Sequence, residues 1–398
     1  MAAVKRGWLA HPDAQRWHKQ PTALLGGIAI YIGVSILYLY MADFATLLPH
    51  FARNSDPLQL PSVAAVIWLG MTLLFILGLL DDFIHIKPHS KLVGQIFVAS
   101  LAAFLGFRLH WFTSLTLDTI ITIVWIIGIT NAFNLLDNMD GLCAGIGMIA
   151  AFYLAFLFVD VSPPTGWMAL GLALVLGAFL IYNFNPASIF MGDSGSLLIG
   201  FNLAMLSLYF ADVGAANRLS AYVTPILLLL VAILDTTMVT FIRMLSGRKA
   251  SVGGKDHTSH RLVLLGLSER GSVLFLCGIG AVSGLAAVFV NRSDTLTSPT
   301  VIVPVVLSVL LMGIYLAQIR VYPEKEFSLL RDRIYTPILI ELTYKKQLLM
   351  VGLDFCLISF AYYLSYRLRF DDREFAYYFK VFLQSLPAVI VCQFAAFF

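Results

Sequence analysis

The sequence has very few charged residues: Asp, Glu, Lys and Arg make up 12% of its 398 residues, whereas 59% are hydrophobic and the mean hydropathy is +0.85. Water-soluble domains carry about 25% charged residues. The formal net charge is only +3, and no basic stripe is interleaved with aromatic residues, which excludes a nucleic-acid-binding surface. The composition therefore predicts a membrane protein along its whole length.

Cysteine is also scarce, and the four cysteines form no CxxC pair and no metal-ligand spacing. This excludes a disulfide framework and a zinc site built on cysteine. A cleavable signal peptide is not expected either, because the first residues are polar and the first apolar run, 22–41, is long enough to span a membrane. That run is expected to insert the chain.

Apolar runs recur along the chain, each long enough to cross about 30 Å of hydrocarbon as a helix. We therefore predict an all-α polytopic bundle of about 10–12 transmembrane spans. The predicted spans are 22–41, 63–80, 91–106, 116–133, 142–159, 166–183, 195–211, 221–243, 270–290, 300–319, 346–366 and 380–398.

The loops alternate between two faces, so their basic residues indicate the orientation of the chain. The set that contains the N-terminal segment and the loops 81–90, 244–269 and 320–345 holds about 18 of the 26 Lys and Arg residues. Because basic loops stay on the inside, this face is predicted to be cytoplasmic.

Unusual polar residues are confined to that same face. Acids beside a membrane are costly, yet the cytoplasmic connections contain Asp81-Asp82 and the segments 134–141, 183–196 and 243–261, and the opposite loops contain nothing comparable. This segregation predicts one functional site on one face.

The first two acids follow Leu80 at the end of a predicted helix, where the helix dipole disfavours negative charge. A cation is therefore expected near Asp81 and Asp82, unless the pair only belongs to a solvated acidic loop. Lys91 and Gln95 share one face at the start of the next span, and Lys91 either touches a phosphate or extends to the membrane surface.

The second cluster contains Asn134, Asp137 and Asp140, three residues apart. On a helix these side chains share one arc of about 120° and can converge on one ligand. Gly141 then offers a helix stop. The alternative is a polar hinge between spans.

The third cluster, 183–196, runs directly into the apolar helix that begins at Leu197. Free N–H groups at such a helix start favour an anion. Asp193 and Ser194 are also candidates for a simple N-cap. Because Asp193 accompanies other cytoplasmic acids, we favour a Mg²⁺ ion that bridges it to a diphosphate.

The fourth cluster, 243–261, is basic and serves either as an inside-positive signal or as a phosphate-binding loop. Zinc is disfavoured, because the closely spaced His257 and His260 have no third ligand nearby. Its basic residues include Arg248, Lys249, Lys255, His257, His260 and Arg261.

The four clusters together contain acids for Mg²⁺, bases for phosphates and a helix start for an anion. This combination indicates phosphoryl transfer at the lipid boundary.

These blocks closely resemble the polyprenyl-phosphate N-acetylhexosamine-1-phosphate transferases, a superfamily that includes the phospho-N-acetylmuramoyl-pentapeptide transferases. The matching pieces, in order, are Gly26-Gly27 after His18 and Thr22, Leu80-Asp81-Asp82-Phe83 with Lys91, and the segments 131–142, 190–196 and 257–262.

The resemblance implies transfer of an N-acetylhexosamine 1-phosphate from a UDP-sugar to undecaprenyl phosphate in the bacterial inner membrane, with release of UMP. It implies a requirement for Mg²⁺, with Mn²⁺ as an alternative, and a role in starting cell-envelope polysaccharide synthesis. The segment 257–262 looks more like the GlcNAc-type enzymes than like the muramoyl-pentapeptide branch. A homodimer is a further expectation.

By matching position, the resemblance implies that Asp81 or Asp82 deprotonates or orients the lipid phosphate. Asp193 would bind the metal with help from the carbonyl of Asn134. The implied contacts to nucleotide, phosphates and sugar are Lys91, Asp137, Asp140, Asn183, Phe190 (stacked on uracil), His257, His260 and Arg261.

The resemblance covers residues from about 13 to 320. We expect residues 1–320 to form the transferase domain, followed by a cytoplasmic linker at 321–345. The sequence departs from the family in two places: the family has a further span before His18, and Asn138 stands where a glycine is common. Residues 346–398 resemble the membrane anchor of polysaccharide-biosynthesis dehydratases or epimerases.

Two functions of other classes are alternatives to this enzyme. A secondary transporter also has many spans, but its site would lie at the bilayer midplane, whereas these acids lie at span ends. An inactive scaffold of a capsule complex is the second alternative.

Overall fold

The computed structural model describes residues 9–10, 22–44, 62–245, 254–317, 319, 321, 357–370 and 372–397. The predicted linker 321–345 lies outside these ranges except for its first residue. His18, Arg248 and Lys249 lie outside them as well.

Helices make up most of the described chain and strands almost none of it, which confirms the all-α prediction. They are α1 (Gly26–Met41), α2 (Val63–Ile84), α3 (Pro88–Phe104), α4 (Leu115–Leu136), α5 (Leu142–Phe158), α6 (Pro163–Asn183), α7 (Gly192–Val213), α8 (Arg218–Leu228), α9 (Leu230–Leu245), α10 (Thr258–Leu264), α11 (Glu269–Arg292), α12 (Pro299–Ala317), α13 (357–369) and α14 (Asp372–Phe397).

Six of the described helices, namely α2, α4, α6, α7, α11 and α12, are long and apolar enough to cross a membrane, and the pair α8–α9 is a seventh candidate. Helices α1 and α5 are apolar but shorter. Large side chains on the outer faces, such as Ile36, Val124 and Ile181, are mostly exposed, as a surface in contact with lipid requires. The chain is therefore a multi-helix membrane protein.

Helix α7 lies at the centre of the bundle. Of its most apolar stretch, 83% is buried inside the protein, compared with 17–44% for the other long apolar helices. It packs against α1, α2, α4, α5 and α8. The contact with α2 is close because Gly78 has no side chain: a Cβ there would lie 2.5 Å from the carbonyl oxygen of Asp193.

The prediction that 221–243 forms one continuous helix is wrong. The structure has two helices, α8 and α9, that meet at a bend of 69° beside Leu229. Pro225 lies one turn before the bend; it lacks an N–H donor, and its ring crowds the preceding turn.

The prediction that one helix carries Asn134, Asp137 and Asp140 is also wrong. Helix α4 ends at Leu136, with Asp137 as its C-cap residue, and a turn follows. Gly141 adopts φ +81° and is the N-cap of α5, so it does not stop α4 as predicted: α4 has already ended at Leu136.

A short antiparallel pair joins Leu9–Ala10 to Thr22–Ala23, and Ala23 also bridges to Ile189. The backbone of Phe190 is held on both sides, since its N–H donates to Ala23 O (2.9 Å) and its carbonyl accepts from Gly26 N (2.8 Å). The segment that precedes α7 is thereby fixed to the start of α1.

The C-terminal helices α13 and α14 pack through aromatic side chains, for example Tyr362 on Phe382 with ring centroids 5.4 Å apart. Arg367 donates to Thr297 Oγ1 (2.6 Å), which fastens the helix pair to the loop between α11 and α12. The predicted spans 346–366 and 380–398 thus correspond, in their described parts, to these two helices.

Candidate active site

The start of α7 is held by a carboxylate from α2. Asp82 accepts hydrogen bonds from the backbone N–H groups of Asp193 (2.7 Å) and Ser194 (3.2 Å). Gly192 makes this approach feasible: its φ is +69°, and a Cβ would lie 2.7 Å from both carboxylate oxygens. The anion predicted for this helix start is therefore supplied by the chain itself, at least for these two N–H groups.

The cation expected beside the paired acids is Lys91. Its ammonium group donates to Asp81 Oδ2 (3.0 Å) and also forms an ion pair with Asp193. All three side chains are at least two-thirds buried, with 13% exposure for Lys91. One ammonium group does not neutralise two carboxylates, so this cluster keeps a formal charge of one negative unit.

Asn134, from the last turn of α4, completes the cluster. Its Nδ2 donates to Asp193 Oδ1 (3.1 Å) and to Ser196 Oγ (2.9 Å), and its Oδ1 accepts from Lys91 (3.4 Å). The side chains of α2, α3, α4 and α7 thus meet at one end of the bundle, as the sequence predicted.

The oxygen atoms around the Lys91 ammonium suit a hard divalent cation, because Mg²⁺ prefers carboxylate and amide oxygens. Within the described ranges, no group of three or more His, Cys, Asp or Glu residues is arranged to hold a metal ion. A Mg²⁺ ion at Asp193 and Asn134 would therefore take its other ligands from water and substrate phosphates, as Mg²⁺ commonly does.

The turn after α4 is tied to the segment before α7. The buried amide of Asn183 accepts from Gly141 N (3.1 Å) and donates to Ile189 O (2.9 Å). Asp140 Oδ2 accepts from Ala187 N (2.9 Å). These contacts place the two predicted binding segments side by side.

A cavity of about 260 Å³ opens between these segments. Seven of the predicted site residues line it: Asp82, Asp137, Asp140, Asn183, Phe190, Asp193 and His260. The other lining residues are Leu24, Asn138, Met139, Gly192, Gly254 and Glu269.

The sequence analysis missed Glu269. It begins α11, and its Oε2 accepts from Asn185 Nδ2 (2.7 Å), which also approaches Asp140 (3.4 Å). An acid at the cytoplasmic start of a predicted span was the available signal, as it was for Asp193.

The basic loop is fixed to α9 by two buried carboxylates, one that holds Arg243 and one that holds His257. Arg243 makes two hydrogen bonds to Asp256, of 2.9 Å and 2.6 Å. Burial acts to raise the pKa of Asp256, but the hydrogen bonds and charge of Arg243 outweigh it and hold this pKa below its ordinary value. Asp235, also missed from the sequence, accepts from His257 Nδ1 (2.8 Å).

The three predicted contacts in this loop have different surroundings. His260 lines the cavity, and its Nε2 donates to Asn138 O (3.3 Å). Burial, and then the neighbouring His257 charge, lowers the pKa of His260 to about 4, so its ring is neutral at pH 7. The guanidinium of Arg261 lies instead on backbone carbonyls at the end of α12 and just after it, including Leu316 O (3.0 Å) and Ile319 O (2.6 Å).

Residues 64–211, from α2 to α7, match the sequence model of glycosyl transferase family 4. A Bacillus subtilis protein named as a probable undecaprenyl-phosphate N-acetylglucosaminyl 1-phosphate transferase is 32% identical over 304 residues, which cover 73% of this chain and 79% of the relative. A decaprenyl-phosphate N-acetylglucosaminephosphotransferase of Mycolicibacterium smegmatis is 30% identical, and the match covers 74% of this chain and 78% of the relative. A phospho-N-acetylmuramoyl-pentapeptide-transferase of Lactobacillus gasseri is 28% identical, and the match covers 52% of this chain and 69% of the relative.

Proposed function

This chain belongs to glycosyl transferase family 4, and on that premise we propose that it transfers N-acetylglucosamine 1-phosphate from UDP-GlcNAc to undecaprenyl phosphate, with release of UMP. The GlcNAc donor is favoured over the muramoyl-pentapeptide donor because the relatives named for GlcNAc are more similar and cover more of the chain. The reaction would start the synthesis of a cell-envelope polysaccharide in the bacterial inner membrane.

One observation carries the proposal: Asp81, Asp193 and Asn134 converge on the Lys91 ammonium at the end of the membrane helices, beside the acid-lined cavity. An anionic diphosphate approaches such a cavity only if cations offset the carboxylates. The cluster provides one cation and oxygen ligands for another, which is the arrangement that phosphoryl transfer needs.

In the proposed reaction, an oxygen of the lipid phosphate attacks the sugar-bearing phosphorus of the donor. A new phosphorus–oxygen bond forms, the bond to the UMP oxygen breaks, and UMP leaves with that electron pair. Bound Mg²⁺ or Mn²⁺ would offset the negative charge of the diphosphate. Asp193 and the amide oxygen of Asn134 would hold the ion.

Of the two candidate catalytic acids, we favour Asp81 as the residue that orients or deprotonates the lipid phosphate. Asp82 lines the cavity, but both of its oxygens accept N–H groups of α7, and its role is to hold Asp193 in place. Asp81 shares Lys91 with Asp193, and the ammonium group of Lys91 would also bind a substrate phosphate.

The remaining contacts are assigned to the donor. Asp137, Asp140 and Phe190 line the cavity where the nucleotide would lie, with Phe190 against the uracil ring. Neutral His260 would donate or accept a hydrogen bond at the sugar phosphate. The basic loops indicate that this end of the bundle faces the cytoplasm, where nucleotide sugars are available.

A donor-panel assay tests the proposal. Purified protein in detergent receives undecaprenyl phosphate, Mg²⁺ and one of several UDP-sugars, and UMP and the lipid product are measured. We expect product with UDP-GlcNAc, no product with UDP-MurNAc-pentapeptide, and loss of turnover with EDTA. Absence of UMP release with every donor would refute the enzyme, and sugar uptake into vesicles without UMP release would indicate a transporter.

A further inference from the structure

Asp235 is a buried carboxylate on the membrane helix α9, and it has no role in the reaction described above. It lies on α9, less than two turns after the bend at Leu229, and only 2% of it is exposed. Ionisable groups in membrane helices are costly and are retained where they have a partner and a task.

Both oxygens of Asp235 are engaged by the start of α10. Oδ2 accepts from His257 Nδ1 (2.8 Å), and Oδ1 accepts from Thr258 N (2.6 Å) and from the Thr258 hydroxyl. Because both of its oxygens are engaged by the protein and the side chain is buried, Asp235 acts on other residues rather than on a substrate.

The contacts of Asp235 determine how α10 faces the cavity. His257 precedes α10 and supplies no side-chain cap of its own, so Asp235 caps this helix from outside. On its other side, α10 is held by Asn138, whose Oδ1 accepts from Ser259 Oγ (2.6 Å) and whose carbonyl accepts from His260 Nε2 (3.3 Å). Helix α10, which carries His260, is therefore held by Asp235 on one side and by Asn138 on the other.

The hydrogen bond to Asp235 also fixes the ring of His257. A carboxylate only accepts, so Nδ1 of His257 carries a proton, and the ring cannot rotate without breaking a buried charge-assisted bond. The His257 ring meets the His260 ring edge-on, with centroids 5.8 Å apart. An ordered His257 thereby restricts His260, which lines the cavity.

We propose that Asp235 is a positioning residue of the transferase: it orients His257 and α10, and through them sets the place of His260 at the donor. This inference rests on the proposed function. It assigns a task in the reaction to an acid on α9, the helix that follows the bend beside Leu229.

Asp235→Asn separates this task from simple capping. The amide oxygen still accepts from Thr258, whereas the amide NH₂ now faces His257 Nδ1 and forces the ring into the other tautomer. We expect the KM for UDP-GlcNAc to rise at least about fivefold and the KM for undecaprenyl phosphate to change less than about twofold.

A double-mutant cycle identifies the route of the effect. If Asp235 acts through His257, the double variant Asp235→Asn/His257→Ala is no worse than His257→Ala alone. Losses that multiply, or a wild-type donor KM in Asp235→Asn, would overturn the inference.

Asp118→Asn is the matched control. Asp118 is also a buried aspartate that holds backbone N–H groups, those of Trp111 (3.1 Å) and Phe112 (3.0 Å), but it lies in the first turn of α4, about 27 Å along that helix from its last residue, Leu136. We expect lower thermal stability with wild-type KM values. A rise in donor KM equal to that of Asp235→Asn would reduce the effect to general loosening of the fold and contradict the proposal.

Two outcomes keep the inference separate from the proposed function. A wild-type protein that releases no UMP with any donor refutes the function, and the inference falls with it; an active wild type whose donor KM is unchanged in Asp235→Asn refutes the inference alone.

If Asp235→Asn does not fold, His257→Gln tests the same contact from the other side, since glutamine donates to Asp235 without a ring to place beside His260. A wild-type donor KM in that variant is then the contradicting result.

Discussion

Gly192→Ala should damage the site without changing any charged or polar side chain. Gly192 has φ +69°, and a Cβ at this position would lie 2.7 Å from both carboxylate oxygens of Asp82. The methyl group must therefore displace Asp82 from the N–H groups of Asp193 and Ser194.

The expected cost follows from two parts. A non-glycine residue in the left-handed region costs about 1–2 kcal/mol. Loss of at least one hydrogen bond to a charged acceptor adds about 1.5–3 kcal/mol. We expect the free energy of unfolding to fall by about 2.5–5 kcal/mol in total. Both contributions arise at the start of α7.

The rate should fall more than the stability suggests, because the same movement shifts the Asp193 side chain. A displacement of about 1 Å at a reacting group lowers rates by about 100-fold. UMP release at saturating substrates and thermal unfolding in detergent are the two measurements.

Gly278→Ala provides the control for this experiment. Gly278 lies on α11, and an added Cβ there would meet nothing within 4 Å, so alanine should leave the rate unchanged and favour the helix by up to about 1 kcal/mol. If Gly192→Ala and Gly278→Ala have the same unfolding temperature and the same rate of UMP release, the role assigned to Asp82 is wrong.

Three further predictions concern the cavity. Asp193→Asn should abolish Mg²⁺-dependent turnover while the protein stays folded, and turnover at the wild-type rate would contradict the metal assignment. Asn183→Ala should lower the free energy of unfolding by about 1–3 kcal/mol, because two buried backbone groups, Gly141 N and Ile189 O, lose their partner; an unchanged unfolding temperature would argue against this. His260 has a pKa of about 4 when folded and 6.5 as its reference, so the unfolded chain binds its proton first and stability falls as pH drops from 6.5 towards 4, by at most about 3 kcal/mol; a stability–pH slope that is the same in His260→Gln would exclude this contribution.

The membrane fold and the location of the site were predictable from the sequence, because both depend on local composition. Apolar runs give the helices, and acids at span ends such as Asp81 and Asp193 are costly wherever they occur, so their segregation on one face indicated one site. The clustering of Asp193, Asn134 and Lys91 in the structure agrees with that prediction.

What the sequence did not reveal depends on contacts between distant residues. Asp82 caps α7 by accepting from Asp193 and Ser194, which lie 111 and 112 residues further along the chain, and no periodicity indicates such a contact. The bend beside Leu229 lies within a continuous apolar run, where hydropathy alone sees one span. Asp235 looked like a single acid in that run, and its task depends on the fold of a loop 22 residues away.

The enclosure of α7 separates the site from the bilayer. Lipid touches mainly the outer helices, so a thicker or thinner membrane changes their tilt first, at a cost of a fraction of a kcal/mol per Å. The height of Asp193 relative to Asp82 and Lys91 is set by side chains and glycines inside the protein. Because a hydrogen bond joins Asp193 to Asp82 on α2 and an ion pair joins it to Lys91 on α3, a change of tilt in those two helices has to carry the start of α7 with it.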